Sequence, residues 1–152
     1  MHIRIARPAD AADITEMAFR SKAHWGYDDD FMAACREEMT VRPEDIANGP
    51  DHFVVAEQNN RIVAYYSVSH VQGTAYELES LYVDPVCIGQ GVGKKLMNHA
   101  KRWVIDHGGE TMLVQSDPHA QGFYEAMGGV KFDETPSGSI AGRVLPYLRI
   151  QL

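Results

Sequence analysis

The chain has 152 residues, a length that suits one domain (1–152) around one sizeable core. Hydrophobic residues make up 45% and charged residues 23%, the balance of a globular domain. A net charge of -7 speaks against a nucleic-acid partner, whose phosphates require a basic face, and suits a small or cationic substrate.

Cys35 and Cys87 stand far apart with no CxxC, so no disulfide framework is expected and a reducing cytoplasm is the default. The start "MHIRIARPADAADI" has neither the apolar core nor the cleavage site of a signal peptide. No apolar run approaches the ~20 residues of a membrane span.

"HIRIAR" alternates and reads as a strand. Pro8 opens a helical pattern with Ile14, Met17 and Ala18 as its apolar stripe. "HWGYDDDFMAACREEM" turns at Gly26, and its acidic run begins a second helix carrying Phe31, Met32 and Cys35. "HFVVAEQNNRIVAYYSVSHV" reads as two strands around Asn59-Asn60, and "TAYELESLYV" as a longer one. A glycine-rich stretch then enters a helix with Leu96, Ala100 and Val104 inward, widened by Met97 and Trp103, and Lys94, Asn98, Lys101 and Arg102 outward. Gly108-Gly109 stops it. "TMLVQ" is a short buried strand, "HAQGFYEAM" a short helix ended by Gly128-Gly129, and "VKFDE" a strand. "RVLPYLRIQL" alternates and closes the chain as a strand with an edge-type proline. The order β-α-α-β-β-β-α-β-α-β-β predicts an α/β layer fold around a mixed sheet.

The glycine stretch "DPVCIGQGVGKKL" carries the chemistry. It is not a P-loop: Lys95 stands where Ser or Thr is required, and Ile88 where the first glycine belongs. It is not the dinucleotide fingerprint either, since Gly89, Gly91 and Gly93 have the wrong last spacing and follow several strands. Its physics still suits a phosphate. Glycines allow close backbone approach, the helix start adds a positive end, and Lys94 and Lys95 add charge. A tight ligand-free turn satisfies the same spacing.

The stretch Ile88-Gly89-Gln90-Gly91-Val92-Gly93 closely resembles motif A of the GNAT N-acetyltransferase superfamily, Q/R-x-x-G-x-G/A, with Ile88 replacing the usual Arg or Gln. "SDPHAQGFYEAMGGVKF" resembles its motif B: Ala120, Phe123, Tyr124 and Gly128 fall at matching spacing, and Asp117 stands where Asn is common. The N-terminal segments fit the remaining regions, so the resemblance covers nearly the whole chain.

That resemblance implies a mostly antiparallel central sheet, splayed at the fourth strand, with helices on both faces. It implies acetyl-CoA as cosubstrate and direct acetyl transfer to a primary amine; small polyamines, aminoglycosides, amino acids and protein N-termini stay open as acceptors, and the chain's acidity favours a small cationic one. Backbone of Ile88, Gly89, Gln90, Gly91, Val92, Gly93 and Lys94 would hold the pyrophosphate. Leu81 and Val83 would run along the pantetheine arm, an N–H near Val83 would polarise the thioester carbonyl, and Asp117 and Ala120 would line the arm's other side. Tyr124 matches the general acid for the departing thiolate; its residue type alone favours a core tyrosine, and the motif favours the acid. Glu77, and less closely Glu79, match the strand-borne base, against a reading as two solvated charges. Strict alternation puts both on one face with Leu81 and Val83; a β-bulge would change that.

Trp25 and Tyr27 lie where the acceptor side would form and could pack an amine's apolar part, with Asp28 to Asp30 attracting a cation. An acidic helix start with two packing aromatics is the plainer alternative. The histidines show no HExxH or paired Cys/His spacing, so no metal is expected. No G-x-S-x-G elbow is present, and Cys87 lacks a catalytic partner. Many relatives dimerise through C-terminal strands, which makes "RVLPYLRIQL" a candidate homodimer surface. Two other functions stay open: a non-catalytic acetyl-CoA or CoA module, and a nucleotide-binding protein of another fold.

Overall fold

The computed structural model describes residues 1–152. In chain order the elements are β1 (His2–Ile5), α1 (Ala11–Ala23), α2 (Asp29–Met39), α3 (Pro43–Asn48), β2 (His52–Gln58), β3 (Arg61–Gln72), β4 (Ala75–Val83), α4 (Val92–Asp106), β5 (Thr111–Gln115), α5 (Gln121–Ala126), β6 (Gly129–Pro136) and β7 (Val144–Gln151). Single 3-10 turns precede α1, α4 and α5, each opened by a proline.

The strands form one sheet in the order β1-β2-β3-β4-β5-β7-β6. Every neighbouring pair is antiparallel except β4 and β5. This is the mixed α/β sheet that the element order predicts, with the mostly antiparallel pairing that the resemblance implies. The hairpin between β2 and β3 turns on Asn59 and Asn60, both at positive φ, the conformation a two-residue hairpin loop requires.

Alternation sends each strand's side chains to two cores. Tyr66, Val68 and Leu78 join Leu96, Met97, Ala100 and Val104 of α4 on one face. Tyr65 and Val55 join Ile14, Met17 and Ala18 of α1 with Cys35 and Met39 of α2 on the other. Leu96, Met97 and Val104 are fully buried, and each large side chain so removed from water contributes ~1.5–3 kcal/mol.

Three features differ from the sequence reading. Helix α3 was not expected, although "RPEDI" announces it: Pro43 begins the helix and the Asp45 carboxylate accepts the Arg42 amide at 2.9 Å. Lys101 is half-buried rather than outward, and its ammonium caps the carbonyl of Met127 after α5. Strand β7 is not an edge; it lies between β5 and β6. Pro146 is tolerated because its carbonyl faces the frayed end of β5, where it accepts the Ser116 amide at 2.9 Å. The N–H that proline lacks would point to that same side, so no bond to β6 is lost. Both edges of β7 are therefore occupied, and the sheet's free edges belong to β1 and β6.

Candidate active site

The glycine stretch is an amide cradle. Gly89 and Gly91 have φ of 83° and 74°, where a side chain is strained. Gly91 is the left-handed N-cap of α4. Gly93 has ordinary φ but lies under Phe123, and an added Cβ would stand 3.4 Å from its ring. The first backbone bond of α4 runs from the Lys95 amide to the Gly91 carbonyl, and Gln90 bonds back to Cys87. The amides of Gly89, Gly91, Val92, Gly93 and Lys94 find no backbone acceptor. They lie together at the positive end of a 15-residue helix, the arrangement that binds phosphate. Val92 offers only its amide, since its side chain is in the core. Ile88 is largely exposed and lines the adjoining groove.

That groove, about 300 Å³, exists because β4 and β5 part. They pair only through Ala75–Leu78 and Thr111–Val114, so β4 from Glu79 onward has one unpaired edge. Leu81, Val83, Gly93, Ala120, Phe123 and Tyr124 line the groove, as does Trp25. Tyr124 is buried, and burial followed by the charge of Asp117 pushes its phenol well above the usual range. The hydroxyl thus stays protonated at any working pH.

A second cavity, about 390 Å³, opens on the α2 side of the sheet. Glu38, Asp45, Asp51, Glu77 and Glu79 line it, with Tyr65 at its wall. The two spaces share Lys22, Leu78, Glu79, Ser80, Tyr82, Gln115 and Asp117, and so meet where β4 leaves β5.

A bulge decides which face the carboxylates take. Ser80 pairs with Ser67 but Leu78 pairs with Val68, so Glu79 is the extra residue of β4. Parity reverses across it. Leu81 and Val83 pack on the α4 side together with Leu78, while Glu77 and Glu79 open on the α2 cavity. The strict alternation that put all four on one face does not hold. Glu77 is buried and accepts the Tyr147 hydroxyl of β7. Burial raises its carboxyl above the ordinary range, the Tyr147 bond opposes this, and Glu79 and Asp51 add to the rise. Glu79 is exposed and accepts Ser69 Oγ at 2.6 Å.

Asp117 ties the two sides together. It receives Tyr27 Oη at 2.8 Å, Lys22 Nζ at 3.3 Å, Arg143 at 3.3 Å, and both the amide and ring of His119. Burial alone would raise its carboxyl, but the His119 amide, Tyr27 and Lys22 outweigh it and hold it at about 2. Tyr27 therefore bridges Asp117 and Arg143 and stacks on Phe31, outside both cavities. Trp25 stacks on His119 at 5.1 Å beside the cofactor-side groove. Asp28 caps α2 through the Phe31 amide, which accounts for the acidic run as a helix start. Sequence reasoning missed Lys22, Asp51, Arg143 and Tyr147, whose roles arise from contacts across long chain separations. No three potential metal-ligating side chains converge, and no helix is long and apolar enough to cross a membrane.

A family model described as the acetyltransferase (GNAT) family matches residues 16–129. The chain belongs to this family. The GNAT match spans both the amide cradle and the helix that carries Tyr124. Among solved structures, a GCN5-related N-acetyltransferase from Rhodopseudomonas palustris is 19% identical over 99% of this chain and 95% of its own, with a TM-score of 0.80. The PaiA N-acetyltransferase of Thermoplasma acidophilum, in complex with coenzyme A, is 16% identical over 100% of both chains at a TM-score of 0.76. An aminoglycoside 6'-N-acetyltransferase complexed with coenzyme A is 18% identical over 99% and 97%, at 0.75. These likenesses show that the GNAT fold is shared. No protein of curated function matches the chain.

Proposed function

We propose that this GNAT protein transfers an acetyl group from acetyl-CoA directly to a primary amine of a small acceptor. One observation carries the reading: the amide cradle and an acidic cavity open toward each other at the single place where β4 separates from β5. The residues fit the cosubstrate. The free amides of Gly89, Gly91, Val92, Gly93 and Lys94 suit a pyrophosphate, and they do so through backbone, so the Ile88 side chain is no obstacle. The unpaired edge of β4 at Leu81 and Val83 can pair with an amide-bearing arm, and Ala120 and Phe123 close the far wall. That two of the similar structures are complexes with coenzyme A agrees with this.

When bound, acetyl-CoA supplies the activated acyl group. The chain's own residues manage protons. An alkylammonium has no lone pair until it loses its proton, at a free pKa near ~10. Glu77, with its raised carboxyl, or Glu79 at the junction accepts that proton directly or through water. Tyr124, kept neutral by burial, donates to the leaving sulfur.

The test is thermal unfolding with acetyl-CoA, CoA, ATP or NAD at equal concentration, followed by thiol release with an amine panel. Ligand at a hundred times Kd stabilises the native state by ~2.7 kcal/mol. A rise in Tm with the two CoA species alone, and thiol release with an amine, is the expected result. A flat response to acetyl-CoA would sink the proposal. A rise without transfer to any amine would favour a non-catalytic CoA-binding role.

A further inference from the structure

Glu77 and Tyr147 come from strands that are not neighbours. Strand β5 lies between β4 and β7, with Leu113 opposite Glu77 and Gln115 opposite Tyr147. The Tyr147 hydroxyl crosses that interval and donates to Oε1 of Glu77. Alternation makes this reach possible. Leu78, Leu148 and Ile150 take the α4 side of the sheet, which leaves Glu77 and Tyr147 together on the other. Strand β4 leaves β5 after Leu78, so the bond spans the sheet where it begins to open.

The carboxylate depends on this one donor. Glu77 is 9% exposed and takes part in no ion pair. Every buried side-chain oxygen and nitrogen has a partner, so Oε2 of Glu77, which receives no donor, is not sealed in and opens on the cavity that the residue lines. Tyr147 is itself held in place: its ring packs on Phe132 of β6 at 5.0 Å, and Arg149 lies over Phe132 at 4.5 Å. Burial, then the bond to Glu77, pushes its phenol up to about 12, so it remains a donor at any working pH.

The bond opposes the other influences on Glu77. Burial and the charges of Glu79 and Asp51 favour the neutral acid, whereas a donated hydrogen bond favours the carboxylate. The neighbours on β5 and β3 are Leu113 and Ser69, and Ser69 is bonded to Glu79. Glu38 and Asp45 line the same cavity, and its cations, Lys22 and Arg143, are both engaged by Asp117. We propose that Tyr147 is a positioning residue for the transfer, its hydroxyl holding Oε1 of Glu77 so that Oε2 faces the cavity and takes the acceptor's proton. The assignment rests on the acetyltransfer reading and makes Glu77, rather than Glu79, the base. The proton passes from the ammonium to Oε2, directly or through water, and Tyr147 keeps its own.

The test compares the full-length parent with Tyr147→Phe, which keeps the ring on Phe132 and deletes the hydroxyl, and with Glu77→Gln and Phe132→Leu. The 13C carboxyl resonance of Glu77, assigned by its loss in Glu77→Gln, is titrated with pH. In parallel kcat/KM is followed against pH with acetyl-CoA and 1-aminopentane, spermidine, glycine or a hexapeptide with a free N-terminus. In Tyr147→Phe the carboxyl titration and the rising limb of kcat/KM should both move up by about one pH unit, the tenfold change that one hydrogen bond to a charged group supplies, with acetyl-CoA affinity unchanged. Glu77→Gln should abolish the limb, and Phe132→Leu, which disturbs the packing but keeps the hydroxyl, should leave it in place. A carboxyl titration unaltered in Tyr147→Phe would overturn the proposal, as would a limb that stays put while the carboxyl moves, or an equal movement in Phe132→Leu. A moved carboxyl with no thiol release from any amine would keep the control of Glu77 by Tyr147 and defeat the acetyltransfer reading.

Discussion

Replacing Asp117 by Asn should destabilise the fold by about 2 kcal/mol at neutral pH, because Asp117 is the only counter-charge to two shielded cations. The side chains of Lys22 and Arg143 are 11% and 17% exposed, and both point to this carboxylate. Its carboxyl is held at about 2, against an ordinary 3.8. Each tenfold change in proton affinity is worth ~1.4 kcal/mol, so that gap amounts to ~2.5 kcal/mol, of which Asn recovers a little by still accepting the His119 amide. For a chain of this size the loss lowers Tm by ~4–8 °C. The direction with pH follows from the sign. The native carboxylate is more acidic than the unfolded one, so its contribution is complete above the unfolded value and is lost as pH falls toward about 2. Urea denaturation of parent and Asp117→Asn should therefore give curves that differ at neutral pH and converge in acid. A variant as stable as the parent at neutral pH, or a gap that persists undiminished to about pH 2, would refute the reasoning.

Three further outcomes follow from the same geometry. Tyr124→Phe should lower kcat on the order of a hundredfold while leaving the acetyl-CoA Kd unchanged, and unaltered turnover would remove Tyr124 from the chemistry. Gly91→Ala meets no atom within 4 Å, so its cost is the backbone alone at φ 74°: ~1–2 kcal/mol of stability together with weaker CoA binding, with a neutral melting temperature as the contrary result. His52 stacks on Trp103 at 4.3 Å, and His107 stacks on the same indole at 3.9 Å. Burial, then His107 and His99, lower the His52 imidazole below its ordinary 6.5, so the stability it lends is complete above that value and falls as pH drops beneath it. Stability should decline as pH falls below about 6.5, with a smaller decline in His52→Gln; equal declines would exclude His52 as the cause.

What the sequence determined by itself is local and periodic. The stripe of Leu96, Met97, Ala100 and Val104 specifies α4, and Asn59-Asn60 specifies the hairpin. Gly89, Gly91 and Gly93 mark a turn in which only bare backbone can serve, and the structure gives each a reason in φ or in the ring of Phe123. These features depend on residues a few positions apart, where side-chain period and turn chemistry decide. The face taken by Glu77 was not legible, because one inserted residue at Glu79 reverses parity and only pairing with Ser67 and Val68 exposes it. Nor was the interior position of β7, which looks like an edge strand by its proline and is enclosed by strand order. Asp117 could be marked as a motif residue, yet its four partners come from the segments around Lys22, Tyr27, His119 and Arg143. The same holds for the acidic cavity, whose carboxylates come from α2, α3, the bend before β2, and β4. Charges so distant in the chain interact only after the strands have taken their register, so the tertiary structure alone decides what they surround.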